Sequence, residues 1–206
     1  MNKITIKKKH KTRKNNIQYR KLRRWVLPAL LGAALSTLAI IPTLAADAQS
    51  TVNTTTVMAP HAEVDPSTFK GTTVVTEDKS MAHELITNTT ADQNAFIGKN
   101  KAVVNIENSV FDKTGNTTSD DNSNFRGQNA VVLGIEGSQI NIKGSNITSN
   151  SNGSNAVFAT GEGSVINVEN TNIHTKSDSS RGLDATYKGT VNGKNLTITT
   201  EGAHSA

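Results

Sequence analysis

The feature that most constrains this chain is a repeat. Asn129-Ala130-Val131, Gly137-Ser138-Gln139-Ile140-Asn141-Ile142 and Ser145-Asn146-Ile147 recur as Asn155-Ala156-Val157, Gly163-Ser164-Val165-Ile166-Asn167-Val168 and Thr171-Asn172-Ile173. From 129 to 155, from 137 to 163 and from 145 to 171, the displacement is 26 residues each time. A fixed period of this size marks a solenoid, in which each repeat buries its apolar face only against its neighbours. The same order of parts runs back to Asn94-Ala95-Phe96, Val104-Asn105-Ile106 and Ser109-Val110-Phe111. It runs forward to Ala185-Thr186-Tyr187 and Asn195-Leu196-Thr197-Ile198.

The repeat is built of strands. Val104-Asn105-Ile106 and Ile140-Asn141-Ile142 alternate apolar with polar at period two, and their aliphatic residues suit a pleated surface. Asn, Gly, Ser, Asp and Thr cluster between them, where turns need left-handed backbone or local side-chain hydrogen bonds. Three short strands with their turns take up about 22–26 residues, the length of one coil of a parallel β-helix. The expectation is an all-β, right-handed parallel β-helix of about four coils over residues 94–206. Ile106, Ile142 and Val168 should form one inward column. Phe111 or Val110, with Ile147, Ile173 and Ile198, should form a second, and Ala95, Ala130, Ala156 and Ala185 a third at a tight site. Asn105, Asn141 and Asn167 should sit outward or ladder as stacked amides. Residues 81–93 read as an N-terminal cap and 47–80 as a flexible linker. The step from Asn94 to Asn129 is longer, which places a polar insertion between residues 112 and 128. Repeat insertions project from one face, often the binding face. The chain stops in mid-repeat, which reads as a truncated product or a piece of a longer protein.

The formal charge of +5 hides a split. Eleven of the 22 Lys and Arg lie between Lys3 and Arg24, and all 17 acidic residues come later, so the chain from Trp25 onward carries −6. Residues 26–41 are almost wholly apolar, Pro42 follows, and Ala45, Ala46 and Ala48 come next. A basic stretch, an apolar stretch and an A-x-A-like site are the parts of a secretory signal peptide, here residues 1–46, with cleavage near Ala45, Ala46 or Ala48. Removal of that segment leaves an acidic protein and no argument for nucleic acid as a partner. The membrane then enters only through export or an anchor outside this sequence. The chain has no cysteine, so stacking of coils rather than disulfides must stabilise it.

Asn155-Ala156-Val157-Phe158-Ala159-Thr160-Gly161 and Gly182-Leu183-Asp184-Ala185-Thr186-Tyr187-Lys188-Gly189-Thr190-Val191, followed by Leu196-Thr197-Ile198-Thr199-Thr200, resemble the repeats of bacterial surface adhesins. They resemble especially autotransporter passenger domains, whose fold is the pectin-lyase-like right-handed parallel β-helix. The resemblance covers residues 94–206 and implies a secreted or cell-surface protein that binds host or bacterial surface glycans or proteins, without a cofactor and without enzymatic activity. The same fold hosts polysaccharide lyases and glycoside hydrolases, which is the alternative. Such enzymes place carboxylates, Arg or Lys on neighbouring coils. Arg126, Arg181 and Asp184 are the catalytic candidates here, the two arginines each four residues before an Ala taken as a strand start. Asp120 and Asp121 are the candidates for an oxygen-ligated metal, although calcium-loop spacing is absent.

Overall fold

The computed structural model describes residues 4–8 and 64–205. Strands β2 (Gly71–Val75), β3 (Lys79–Ala82) and β4 (Leu85–Asn88) make coil 1. Coil 2 is β5 (Asn94–Gly98), β6 (Val103–Glu107) and β7 (Val110–Lys113), and coil 3 is β8 (Val132–Gly134), β9 (Gln139–Lys143) and β10 (Asn146–Ser149). Coil 4 is β11 (Val157–Thr160), β12 (Val165–Glu169) and β13 (Asn172–Thr175), and coil 5 is β14 (Leu183–Thr186), β15 (Thr190–Lys194) and β16 (Leu196–Thr200). Like strands stack in parallel. Sheet 1 is β2-β5-β8-β11-β14, sheet 2 is β3-β6-β9-β12-β15 and sheet 3 is β4-β7-β10-β13-β16. The chain is therefore a β-solenoid of five coils. Strand β1 (Ile4–Lys8) adds to the free edge of β16, with Ile4 beside Leu196 and Ile6 beside Ile198. The rest of residues 1–46, read from the sequence as a signal peptide with cleavage near Ala45, Ala46 or Ala48, lies outside the described residues, as do residues 47–63 of the stretch read as a linker.

Two of the three expected columns stand as read. Ile142 lies beside Ile106 and Val168. Phe111, Ile147, Ile173 and Ile198 line up in sheet 3, and Ile86 extends the column into coil 1. All are buried. Each such side chain contributes about 1.5–3 kcal/mol, so a coil holding a handful of them is stable only when stacked.

The third column needs correcting. Between coils 3 and 4 sheet 1 steps by 25 residues, with Val132 beside Val157, whereas sheet 2 steps by 26, with Ile140 beside Ile166. Alignment on the Asn-Ala pairs is thus one residue out of register in sheet 1. The tight column is Gly98, Gly134, Ala159 and Ala185. A Cβ on Gly98 would lie 2.8 Å from Ile140 Cδ1, and one on Gly134 would lie 3.0 Å from Ile166 Cγ1. The small residues make room for the isoleucines of sheet 2.

The N-terminal boundary also moves. Residues 71–88 form a whole coil, so the stretch read as the end of a linker and a cap is the first repeat. Met81 fits beside Ile106 and Ile86 beside Phe111, although no Asn-Ala pair announces the coil. The turn from sheet 2 to sheet 3 explains another sequence regularity. His83, Asn108, Gly144, Asn170 and Asn195 occupy it with φ of 59°, 48°, 63°, 50° and 51°. That left-handed backbone favours Gly and Asn.

Candidate functional site

The outer face of sheet 1 differs from the other two because it is apolar. Ile97, Leu133 and Phe158 stand in register there, and Asp184 follows in coil 5. The first three are buried in a second core with Phe69, Ala130 and Ile135, separate from the core inside the coils. Two segments cover them. One is 64–69, which holds the short 3-10 turn Pro66–Thr68. The other is the insertion between coils 2 and 3, expected as a loop and found to contain helix α1 (Asp120–Arg126).

Helix α1 has seven residues and no apolar stripe, so hydrophobic periodicity does not reveal it. Its ends do. Ser119 caps the N-terminus by accepting from Asn122 N, Asp120 and Asp121 lie in the first turn, Arg126 in the last, and Gly127 closes it at φ 79°. That is the charge order a helix dipole favours. Gly127 is also required by packing, since a Cβ there would lie 2.5 Å from Leu133 Cδ1 and 2.7 Å from Phe158 Cδ1.

The helix is fastened to coils further along the solenoid. Ser123 Oγ donates to Gly153 O, and Asn155 Nδ2 donates to Ser123 O at 3.3 Å. Arg181 Nη1 donates to Asn124 Oδ1 at 2.8 Å, and Thr186 Oγ1 to Phe125 O at 2.8 Å. Arg126 lies over the Tyr187 ring, 5.4 Å from its centroid. The insertion leaves between coils 2 and 3 and is tied to coils 4 and 5.

These contacts fix the fate of each catalytic candidate. Arg181 and Asp184 are brought together at 3.6 Å, and the Arg181 backbone N–H donates to Asn155 Oδ1 at 2.8 Å. Burial pushes the Asp184 carboxyl above the usual carboxylate range, against the pull of Arg181 and of a hydrogen bond from the Ala185 backbone. Arg126 lies on the last turn of α1 rather than ahead of a strand, where the even spacing had put it. Asp120 and Asp121 are helix-start residues. No group of three or more metal-ligating side chains occurs among the described residues.

Beside this cluster is a cleft of about 290 Å³. Asp65, Ser67, Arg126, Glu136, Thr160 and Tyr187 line it, so both covering segments and three coils contribute. Tyr187 is 52% exposed and Phe125, next to Arg126, is 54% exposed. Asp65 Oδ1 accepts from Ser67 N at 2.9 Å, and Glu136 Oε2 accepts from Asn100 N at 3.0 Å, so both carboxylates are held in place. An aromatic ring, a guanidinium, two fixed carboxylates and a hydroxyl suit a hydroxylated ligand with one apolar face. Aromatic and Arg side chains are also the residues that most often anchor interfaces. Sequence reading missed Tyr187 and Glu136. The repeat aligned Tyr187 with the buried Phe158, but in the structure Asp184 stands beside Phe158 and Tyr187 follows the end of β14 at φ 44°.

A second site that sequence reading missed is Lys113, fully buried at the end of β7. Its Nζ donates to Thr90 O at 2.9 Å, Thr114 O at 2.5 Å and Gly115 O at 3.0 Å. Burial lowers its pKa to about 8, opposed by the charge of Asp92. Burial pushes the Asp92 carboxyl up, but hydrogen bonds from Thr118 and Thr117 outweigh it and hold the group low. This arrangement clamps the start of the insertion and offers no open surface. No helix among the described residues is long and apolar enough to cross a membrane. Comparison with protein-family models, with curated proteins and with solved structures finds no match to this chain.

Proposed function

We infer that this chain is an exported bacterial surface protein, an adhesin-type passenger that presents a repetitive polar surface to glycans or proteins. The leader-like segment at 1–46 supports export, and the likeness of 94–206 to adhesin repeats supports the class. The observation that carries the binding reading is the cleft of Asp65, Arg126, Glu136, Thr160 and Tyr187, which combines an exposed ring with fixed polar groups. Contacts of this kind are modest singly, and strength at a cell surface comes from multivalency. The expected result is retention of wild-type protein on a subset of a glycan array, lost with Tyr187→Ala or Arg126→Ala and kept with Lys188→Ala. Binding that is indifferent to both cleft substitutions, or no binding to any glycan or surface protein, contradicts this reading.

A second reading follows from one specific observation. Asp184, with its carboxyl raised by burial and Arg181 at 3.6 Å, is a combination seen in acid–base catalysis. A polysaccharide lyase or hydrolase would release oligosaccharides from uronate polymers and lose that activity with Asp184→Ala. A binding protein would release none and keep its array profile with that substitution.

A further inference from the structure

The outer face of sheet 2 carries three columns. Asn105, Asn141, Asn167 and Asn192 run down the middle as an amide ladder, each Nδ2 donating to the previous Oδ1 at 2.9, 2.8 and 2.8 Å. On one side stand Val103, Gln139, Val165 and Thr190. On the other stand Glu107, Lys143, Glu169 and Lys194, one in each of coils 2 to 5, in register and alternating in sign, with Ala82 at that position in coil 1. Lys194 Nζ meets Glu169 Oε1 at 2.9 Å. A shallow groove of about 180 Å³ follows the ladder past Asn105, Glu107, Asn141, Lys143, Asn167 and Glu169. Asn105, Glu107, Gln139, Lys143, Asn192 and Lys194 are exposed, so the face is open to solvent.

The charge order has a symmetry property. Read from coil 2 to coil 5 it is acid, base, acid, base; read in reverse it is base, acid, base, acid. A second copy laid on this face, turned about a two-fold axis lying in the face along the strands, runs its coils the other way. Glu107 then opposes Lys194 of that copy, and Lys143 opposes Glu169. Asn opposes Asn along the middle, and every ladder residue meets the opposite sign. Turning about the perpendicular in-plane axis instead sets the charges against the Val and Gln column, and no such match arises. Two acids and two bases also give no net charge to attract an anionic or a cationic polymer.

We propose that the Glu107–Lys143–Glu169–Lys194 face of sheet 2 is a homophilic surface, through which two copies pair face to face with their coils antiparallel. Closed two-fold interfaces require a self-complementary patch, and this ladder is one. The footprint is four strands at about 4.8 Å spacing by five residues, or about 300 Å² per copy. Stable pairs bury about 800 Å² per partner, so this pairing is weak in solution, on the order of 0.1–1 mM, and gains strength where many copies face one another. It does not use the Tyr187 cleft, which lies beside sheet 1.

The test exploits the alternation. Glu107→Lys, Lys143→Glu, Glu169→Lys and Lys194→Glu together reverse the ladder yet keep unlike neighbours within each molecule. The reversed protein should pair with itself and the wild type with itself, while wild type against reversed sets like charges opposite at all four positions. Full-length nitrogen-15-labelled wild type at about 0.1 mM in low salt is titrated with unlabelled wild type, or with unlabelled reversed protein, to about 1 mM, and its amide chemical shifts are followed. The expected result is concentration-dependent shifts confined to β6, β9, β12 and β15 on addition of wild type, at least tenfold weaker binding of the reversed protein, and loss of the shifts at about 0.5 M salt. Tyr187→Ala should leave all of this unchanged. Should the fourfold variant not fold, Glu169→Lys alone, with an unaltered circular dichroism spectrum, should weaken self-association at least tenfold in sedimentation equilibrium. Absence of concentration-dependent shifts in the wild type, or equal shifts with wild-type and reversed protein, overturns the proposal.

Discussion

Lys113 shows most clearly what a single residue does here. Its ammonium has three backbone carbonyls for partners but no solvent. In the folded chain it loses its proton at about 8, against 10.5 for the ordinary side chain. Between those values the unfolded chain binds more protons than the folded one, so stability rises with pH across that window. Below it both states are charged and the burial cost is present in full. Urea denaturation at intervals from pH 7.5 to 10.5 should therefore show wild type gaining on Lys113→Met as pH increases. A constant difference between the two proteins would contradict this account of Lys113. The residue was not legible in the sequence because nothing at the local level separates it from the other lysines; only its place under the insertion buries it. Asp184 and Arg181 were legible as candidate charges, and their pairing follows from three-residue spacing at the start of β14. Arg126 was not correctly placed, because its position depends on a helix.

Among elements, the contrast is between inward and outward residues of one strand. Ile142 is 1% exposed and fills a column, while Asn141 beside it bridges Asn105 and Asn167 on the outside. Ile142→Ala should cost about 2–5 kcal/mol, the range for a large buried aliphatic. Asn141→Ala should cost only about 1 kcal/mol, since water replaces the two amide bonds it breaks. Chemical denaturation of the two variants decides this, and equal costs would mean the strand faces are misassigned. Helix α1 supplies the other element-scale expectation. Gly127→Ala meets both the left-handed backbone and the rings of the outer core, so it should destabilise by about 1–3 kcal/mol. The loss should show as faster amide exchange in 119–127, with β9 and β12 protected as before. Strands were legible because period-two patterns and Asn-rich turns repeat them. The helix was not, because its apolar burial is supplied by Gly127 backbone and by sheet residues rather than by a stripe of its own; its capping residues were the signal available.

At the scale of the molecule, the solenoid was readable from the 26-residue displacement alone, and the number of coils was not. Coil 1 lacks the Asn-Ala and Gly-Ser marks of its neighbours, and it joins the stack through Met81, Ile86 and Val75, whose inward spacing matters more than their identity. The exact register in sheet 1 was likewise hidden, because turns of unequal length let one sheet step by 25 and the next by 26 between coils 3 and 4, and the reverse between coils 4 and 5. The covered outer face of sheet 1 depends on segments from three parts of the chain, so no local pattern could announce the cleft. The open ladder of sheet 2, by contrast, is entirely local and reads directly from one strand of each of coils 2 to 5.

In-register stacking underlies all of these claims, and the chain's lack of cysteine makes it directly measurable. Asn141 and Asn167 are partners on neighbouring parallel strands, and both face outward. Adjacent strands lie about 4.8 Å apart, within the range a disulfide can bridge. The double variant Asn141→Cys/Asn167→Cys should oxidise fully to an intramolecular disulfide in the folded protein. The shifted pair Asn141→Cys/Val168→Cys, one residue outward and the other inward, should not. Full oxidation of the shifted pair with none in the matched pair would contradict the stacked architecture itself.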